Sequence, residues 1–191
     1  KEINETSKIF LTADRLLLQS FRLAEMIYDS EYRPDLICGV WRGGASVAVA
    51  VHEYFSWHGV VADHIPIRCR SYFGVEQQNT QIKVDSLEYL LAHVDRSTNL
   101  LLVDDVFDTG RSINAIIDTL ETTSEINAAR IRVACPWYKP LKNKTGRTPD
   151  YFVCETDDWI VFPHELDGLD YQEILAGKPD IGKTLKFRES E

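Results

Sequence analysis

No stretch of this sequence approaches the run of about 20 apolar residues that a membrane-crossing helix needs. Its opening, KEINETSKIF, also lacks the apolar core of a secretory leader. Positive charge is scarce: 21 Lys and Arg stand against 30 Asp and Glu, a formal charge of −9. Counterion release from a phosphate backbone needs clustered cations, so general affinity for nucleic acid or an anionic membrane is not expected. A small anion held by local loops stays open. Cysteine is sparse and unpatterned. Cys38, Cys69, Cys135 and Cys154 form no CxxC and show no metal-ligand spacing. Each sits in or beside a β-like segment (LICGV, IPIRCR, IRVAC, YFVCE), which reads as buried free thiols in a reducing, cytoplasmic setting. The five histidines show no metal spacing either.

What is present has an α/β rhythm. Apolar residues at Leu16, Leu17, Phe21, Ala24, Ile27 and Tyr28 repeat at the helical period, so Leu11–Ser30 is expected to be an amphipathic helix. RPDLICGV is a Pro-bounded strand, GASVAVAVHEYFSW a helix, GVVADHIPIRCR a second strand. SYFGVEQQNTQIKV is polar and aperiodic and is expected to be a loop. NLLLVDDV, ARIRVACPW and DYFVCE are further strands, with the helix RSINAIIDTLETT between the first two. From Thr156 onward the chain is rich in Asp, Gly and Pro and is expected to be irregular. Strands that are apolar throughout, alternating with helices, suit a mainly parallel sheet covered on both faces, in one domain of 191 residues. Ligands in such sheets bind beyond the carboxyl ends of the strands.

Two unusual segments fall at strand ends. In LLLVDDVFDTGRS, Leu100 to Ser112, an unbroken apolar run ends in Asp104 and Asp105, with Asp108 three residues on. A carboxylate pair leaving a buried strand is costly unless hydroxyl donors or a cation meet it, and a sugar diol or a hard metal ion supplies either. Thr109, Gly110, Arg111 and Ser112 then open a helix, where backbone N–H groups and the dipole favour an anion. The loop reads as built for a sugar phosphate. Simple capping by Asp108 and Thr109 is the plainer alternative, and it leaves the adjacent pair unexplained. The second segment is GVWRGG, Gly39 to Gly44, which read alone could be an ordinary strand-to-helix turn.

An apolar run, two acidic residues, two variable residues and Asp-Thr-Gly-x-Ser/Thr resembles the signature of the type I phosphoribosyltransferases, matched here at every position. The resemblance runs from about DLICGVWRGG to DDWIVFPHE and is strongest to the xanthine–guanine and hypoxanthine–guanine branch. It implies the type I phosphoribosyltransferase fold: a core over about 11–154, and a small hood over the base site from about 155–191 with part of the N-terminus. It implies transfer of phosphoribose from 5-phosphoribosyl 1-pyrophosphate (PRPP) to a 6-oxopurine in purine salvage, with Mg2+ as cofactor.

By the same resemblance, Asp104 and Asp105 hold the ribose hydroxyls, directly or through Mg2+. Asp108 through Ser112 cradle the 5′-phosphate, and Asp108 faces N7 of the purine as general acid/base. Such a carboxylate can take the proton of the attacking base and stabilise a cationic sugar. Trp41, Arg42, Gly43 and Gly44 form the pyrophosphate loop, with a cis peptide expected at Trp41–Arg42. Ser71 and Tyr72 belong to a closing loop that excludes water from the sugar cation. Lys139 donates to O6, Trp159 stacks on the base and Ile160 accepts through its carbonyl, although Trp159 could also be a core aromatic. Glu165 is implied as a further ligand on the metal side. Lys142, Lys144 and Arg147 read as a solvated basic loop. WIVFPHE leans toward the xanthine–guanine members and RSYFG toward hypoxanthine–guanine, so the preferred purine stays open. A homodimer or homotetramer is implied. The alternatives are a PRPP-sensing regulatory protein, disfavoured by the acidic chain, and a transferase for a non-purine base such as orotate, disfavoured by Lys139.

Overall fold

The computed structural model describes residues 8–73, 80–85 and 87–185, apart from the side chains of 70–73, 80–83 and 85. In chain order its elements begin with β1 (Lys8–Phe10), α1 (Ala13–Asp29), β2 (Leu36–Trp41), α2 (Gly43–Trp57) and β3 (Asp63–Phe73). Then come β4 (Thr80–Asp85), α3 (Glu88–His93), β5 (Leu100–Val103), β6 (Val106–Phe107) and α4 (Arg111–Thr123). The last are β7 (Ile131–Tyr138), β8 (Tyr151–Glu155), β9 (Trp159–Val161), α5 (Tyr171–Gly177) and α6 (Pro179–Thr184). Two units result: one runs from Leu17 to Asp157, the other joins the segment up to Leu16 with that from Asp158.

The larger unit is a sheet in the order β4-β3-β2-β5-β7-β6, with β8 also on β7. Every pairing is parallel except β3 with β4. All four residues of β5 are buried and β2 is buried up to Trp41, as continuous apolar runs require of strands covered on both faces. Leu36, Cys38, Leu100, Leu102, Ile116, Ile117 and Leu120 share one core. The four cysteines are free, and burial pushes the thiols of Cys38 and Cys135 up.

Three expectations need correction. The buried stripe of α1 is Leu16, Ser20, Leu23, Ala24 and Ile27, whereas Leu17 and Phe21 are exposed; the period holds but the face is rotated, because a two-residue apolar doublet leaves the phase of a stripe undecided. The described residues of the segment read as a loop are strand: β3 runs to Phe73, and Ser71 and Tyr72 pair with Ile82 and Gln81 of β4. Residues 74–79 and the side chains of Ser71 and Tyr72 lie outside the described residues. Cross-strand pairing overrode a sequence without alternation.

The stretch after Thr156 is not irregular. In the smaller unit β9 pairs in parallel with β1, Ile160 opposite Ile9. Asp170 and Glu173 form a reciprocal capping box on α5. Lys178, 7% exposed, donates Nζ to the carbonyls of Phe162 (2.5 Å), Pro163 (3.2 Å) and Glu165. Burial lowers its pKa, and the three carbonyls use all three ammonium donors.

Candidate active site

Parallel pairing places the carboxyl ends of β2, β5 and β7 side by side, since Gly39 lies opposite Val103 and Val103 opposite Ala134. The three chains leave the sheet there as Arg42-Gly43-Gly44, as Asp104-Asp105 and as Lys139.

The first two interlock. The peptide between Trp41 and Arg42 is cis, as the resemblance implies. A Cβ on Gly43 would overlap the Asp105 carboxylate, and one on Gly44 would collide with the Val103 carbonyl and lie 2.8 Å from Asp104 Cα. Only glycine lets α2 begin this close to the acidic pair. The Trp41 indole, half exposed, lines a groove of about 420 Å3 with Ala45, Ala48, Val49, His52 and Ile65. Its backbone, rather than its ring, belongs to the loop.

Asp104 N–H donates to the Ala134 carbonyl (3.1 Å), and Asp105 N–H donates to Asp104 Oδ1 (2.9 Å). Asp105 is buried, and Asp104 keeps part of its surface exposed. The Asp104 carboxyl is nevertheless held well above the usual carboxylate range, by burial first and by the charge of Asp105 second. Two carboxylates this close favour a shared proton or a bound cation. Among the described residues no three His, Cys, Asp or Glu side chains gather around a metal position.

After β6 the chain turns into α4 through Gly110 at φ 76°, a left-handed conformation that favours glycine. Asp104, Asp108, Thr109, Gly110 and Ser112 line a cavity of about 80 Å3 at the helix start. Asp108 does not cap the helix, since the residue before α4 is Gly110 and no side chain caps it; its carboxylate instead takes an ion pair from Lys139 Nζ at 3.0 Å. The Lys139 side chain is 10% exposed, that of Asp108 43%. Cys69 Sγ on β3 donates to the Ser112 carbonyl (3.8 Å), which brings β3 to the same loop.

Lys142 and Lys144 are exposed, as a solvated loop requires, whereas Arg147 Nε donates to Asn114 Oδ1 (3.3 Å) on α4. The backbone N–H of Lys144 donates to the Thr109 carbonyl (2.9 Å). Leu141 N–H donates to Asp157 Oδ1 (2.9 Å). The turn after β7 therefore backs the loop that opens α4, a role that charge alone did not signal.

Trp159, Ile160 and Glu165 belong to the smaller unit. Trp159 is 49% exposed, too open for a core aromatic, and Ile160 is buried. Lys8 Nζ lies 5.3 Å from the Trp159 ring centroid and pairs with Glu173. Glu165 Oε2 accepts from Phe162 N–H (3.0 Å), closing its own turn. Lys8 and Lys178 in the smaller unit, and Asn143 in the larger one, carry no signal in residue type or spacing that singles them out. The Asp170-x-x-Glu173 capping signature was the one available signal for this region.

Comparison with known proteins places the family. A family model described as the phosphoribosyl transferase domain matches residues 6–170. A hypoxanthine-guanine phosphoribosyltransferase of Lactococcus lactis is 23% identical over 181 residues, 92% of this chain and 89% of its own. A purine phosphoribosyltransferase structure from Pyrococcus horikoshii superimposes with a TM-score of 0.67 at 29% identity, covering 85% of this chain and 97% of that one. A xanthine-guanine-hypoxanthine phosphoribosyltransferase structure from Helicobacter pylori gives 0.62 at 21% identity, over 84% and 96%.

Proposed function

The chain belongs to the phosphoribosyl transferase domain family, and from that premise we propose that it transfers phosphoribose from PRPP to N9 of a 6-oxopurine, in cytoplasmic purine salvage. The observation that carries the choice of base is the pair Asp108–Lys139, an acceptor and a donor 3.0 Å apart at the strand ends. A 6-oxopurine in its N7–H form offers the matching donor and acceptor, N7–H and O6, on one edge. Adenine presents an amino donor where Lys139 also donates. Relatives that act on purines support the same reading.

In this reaction N9 bonds to C1′ of the sugar while the bond from C1′ to the pyrophosphate oxygen breaks. The N7 proton passes to the Asp108 carboxylate, which cancels the positive charge that bond formation at N9 puts on the ring, and Lys139 holds O6 throughout. Thr109 through Ser112 bind the 5′-phosphate through backbone N–H groups and hydroxyls, the charge-assisted arrangement a helix start favours. Arg42 and the cis-linked loop meet the pyrophosphate. Trp159 stacks on the base and Ile160 accepts at the 2-position. Ser71 and Tyr72 act at the end of the β3–β4 arm to exclude water.

The donor set at Asp104 and Asp105 fits Mg2+: two adjacent carboxylates, one with its proton affinity raised by burial and then by the other, are relieved by a cation. When bound, Mg2+ neutralises PRPP charge. Asp104 and Asp105 would hold the ion, while Glu165 Oε2 accepts from Phe162 N–H within its own turn. Assembly as a homodimer or homotetramer is part of the proposal, supported by the exposed apolar side chains Trp41, Val49, Trp57 and Val61 on and beside α2.

A spectrophotometric panel tests the reading: PRPP and Mg2+ with guanine, xanthine, hypoxanthine, adenine, orotate and uracil in turn. Turnover with 6-oxopurines, lost without Mg2+, is expected. Asp108→Asn is expected to lower it by ~10²–10⁴ with PRPP still bound. Turnover with orotate or uracil alone overturns the base assignment, and PRPP binding without turnover on any base points to a sensor.

A further inference from the structure

The turn that follows Lys139 is organised around one side chain. Asn143, half-buried, uses both ends of its amide. Oδ1 accepts from Thr145 N–H (2.9 Å) and Thr145 Oγ1–H (3.0 Å). Nδ2 donates to Tyr138 Oη (3.2 Å) and to the Arg147 carbonyl (3.0 Å). Thr145 N–H can only donate and the Arg147 carbonyl can only accept, so the orientation of the amide is determined.

Each partner leads to a part of the site. Thr145 Oγ1 sits 2.6 Å from where a Cβ on Gly110 would lie, so it packs directly against the left-handed glycine of the phosphate-type loop. Lys144, between Asn143 and Thr145, holds the Thr109 carbonyl through its N–H (2.9 Å). On the other side Asn143 N–H donates to the carbonyl of Lys139 itself (3.2 Å). Tyr138 stacks edge-on against Phe107 (5.7 Å between centroids, 78°), whose ring edge would lie 2.7 Å from the same Gly110 Cβ position.

From this geometry we infer that Asn143 is a positioning residue: it sets the Thr109–Gly110 cradle at a fixed distance from Lys139, so that the phosphate site and the base lysine are held as one piece. The inference rests on the functional reading above. A phosphate cradle works through backbone N–H groups, which have no side-chain freedom to adapt, so a shift of the loop costs affinity directly. The two ends of the amide have separable tasks. Oδ1 holds Thr145 against Gly110, while Nδ2 anchors the turn to Tyr138 and Arg147.

Asn143→Ala removes both ends, and Asn143→Asp keeps the acceptor that holds Thr145. PRPP affinity by calorimetry, and KM for PRPP and guanine with kcat, are measured for the full chain and both variants. Asn143→Ala removes four part-buried hydrogen bonds and is expected to weaken PRPP about 5- to 20-fold, the equivalent of one or two of them. At saturating PRPP its kcat should stay within about threefold, and Asn143→Asp, which keeps the acceptor for Thr145 and loses the donor to Arg147, should recover part of the PRPP affinity. A general structural defect would lower kcat and both affinities together and would not distinguish Ala from Asp; that result, or unchanged PRPP affinity in Asn143→Ala, overturns the inference. Absence of purine turnover in the unmodified chain counts against the functional reading alone, because the PRPP calorimetry still decides the role of Asn143.

Discussion

Lys139→Met is the sharpest perturbation of the proposed base site. Methionine keeps the length and most of the apolar stem, which matters because the lysine side chain is 10% exposed. The change deletes only the ammonium group. In the free protein that group pairs with Asp108, whose carboxylate is 43% exposed and can be rehydrated when the partner goes. Stability should therefore change by about 1 kcal/mol or less, in the range of exposed ion pairs. The bound state differs: a charge-assisted hydrogen bond to O6 is worth about 1.5–3 kcal/mol, or roughly 10- to 100-fold in affinity. KM for guanine or hypoxanthine should rise by that factor while KM for PRPP holds, and the preference over adenine should shrink in parallel. Steady-state kinetics with each purine at saturating PRPP measures this. A raised PRPP KM with an unchanged purine KM would assign Lys139 to the pyrophosphate side and refute the reasoning.

Gly44→Ala should lower stability by about 1–3 kcal/mol, the usual effect of overpacking, because its Cβ meets the Val103 carbonyl and the Asp104 backbone, not a flexible side-chain tip; chemical denaturation reads it, and a neutral result would mean that α2 can slide off the acidic pair. Acid stability probes the smaller unit. The Lys8 ammonium beside Glu173 holds its carboxyl below the ordinary value of 4.5. Between the two values the unfolded chain binds the proton and the folded chain does not, so this contribution is present above about pH 4.5 and lost on acidification through the folded value. Lys8→Met should flatten that part of the thermal midpoint's pH profile, and an unchanged acid limb would show that the pair contributes nothing.

The strand-end chemistry was legible because it is local. Asp104 to Ser112 is one continuous stretch whose apolar run, acidic pair and helix start are all written within 13 residues of chain, Leu100 to Ser112. Helix α4 begins and ends where its pattern says, Arg111 to Thr123, and the cis peptide lies where the resemblance implied it. The expected loop over Ser71 and Tyr72 misled because β3 and β4 stabilise each other by pairing, which neither segment's own pattern reveals.

Residue types and their spacing by themselves determined the α/β class, the buried parallel strands and the acidic pair and helix start at a strand end, since burial period and loop chemistry act over a few neighbours. The tertiary structure decided what depends on residues far apart in the chain. It set Lys139 against Asp108, 31 positions away, and Gly43 against Asp105. It brought Thr145, which Asn143 holds, against the distant Gly110, and it gave three-residue strands β1 and β9 a reason to exist in each other. Such contacts are selected by the packing of the whole sheet, and no window of sequence contains both partners.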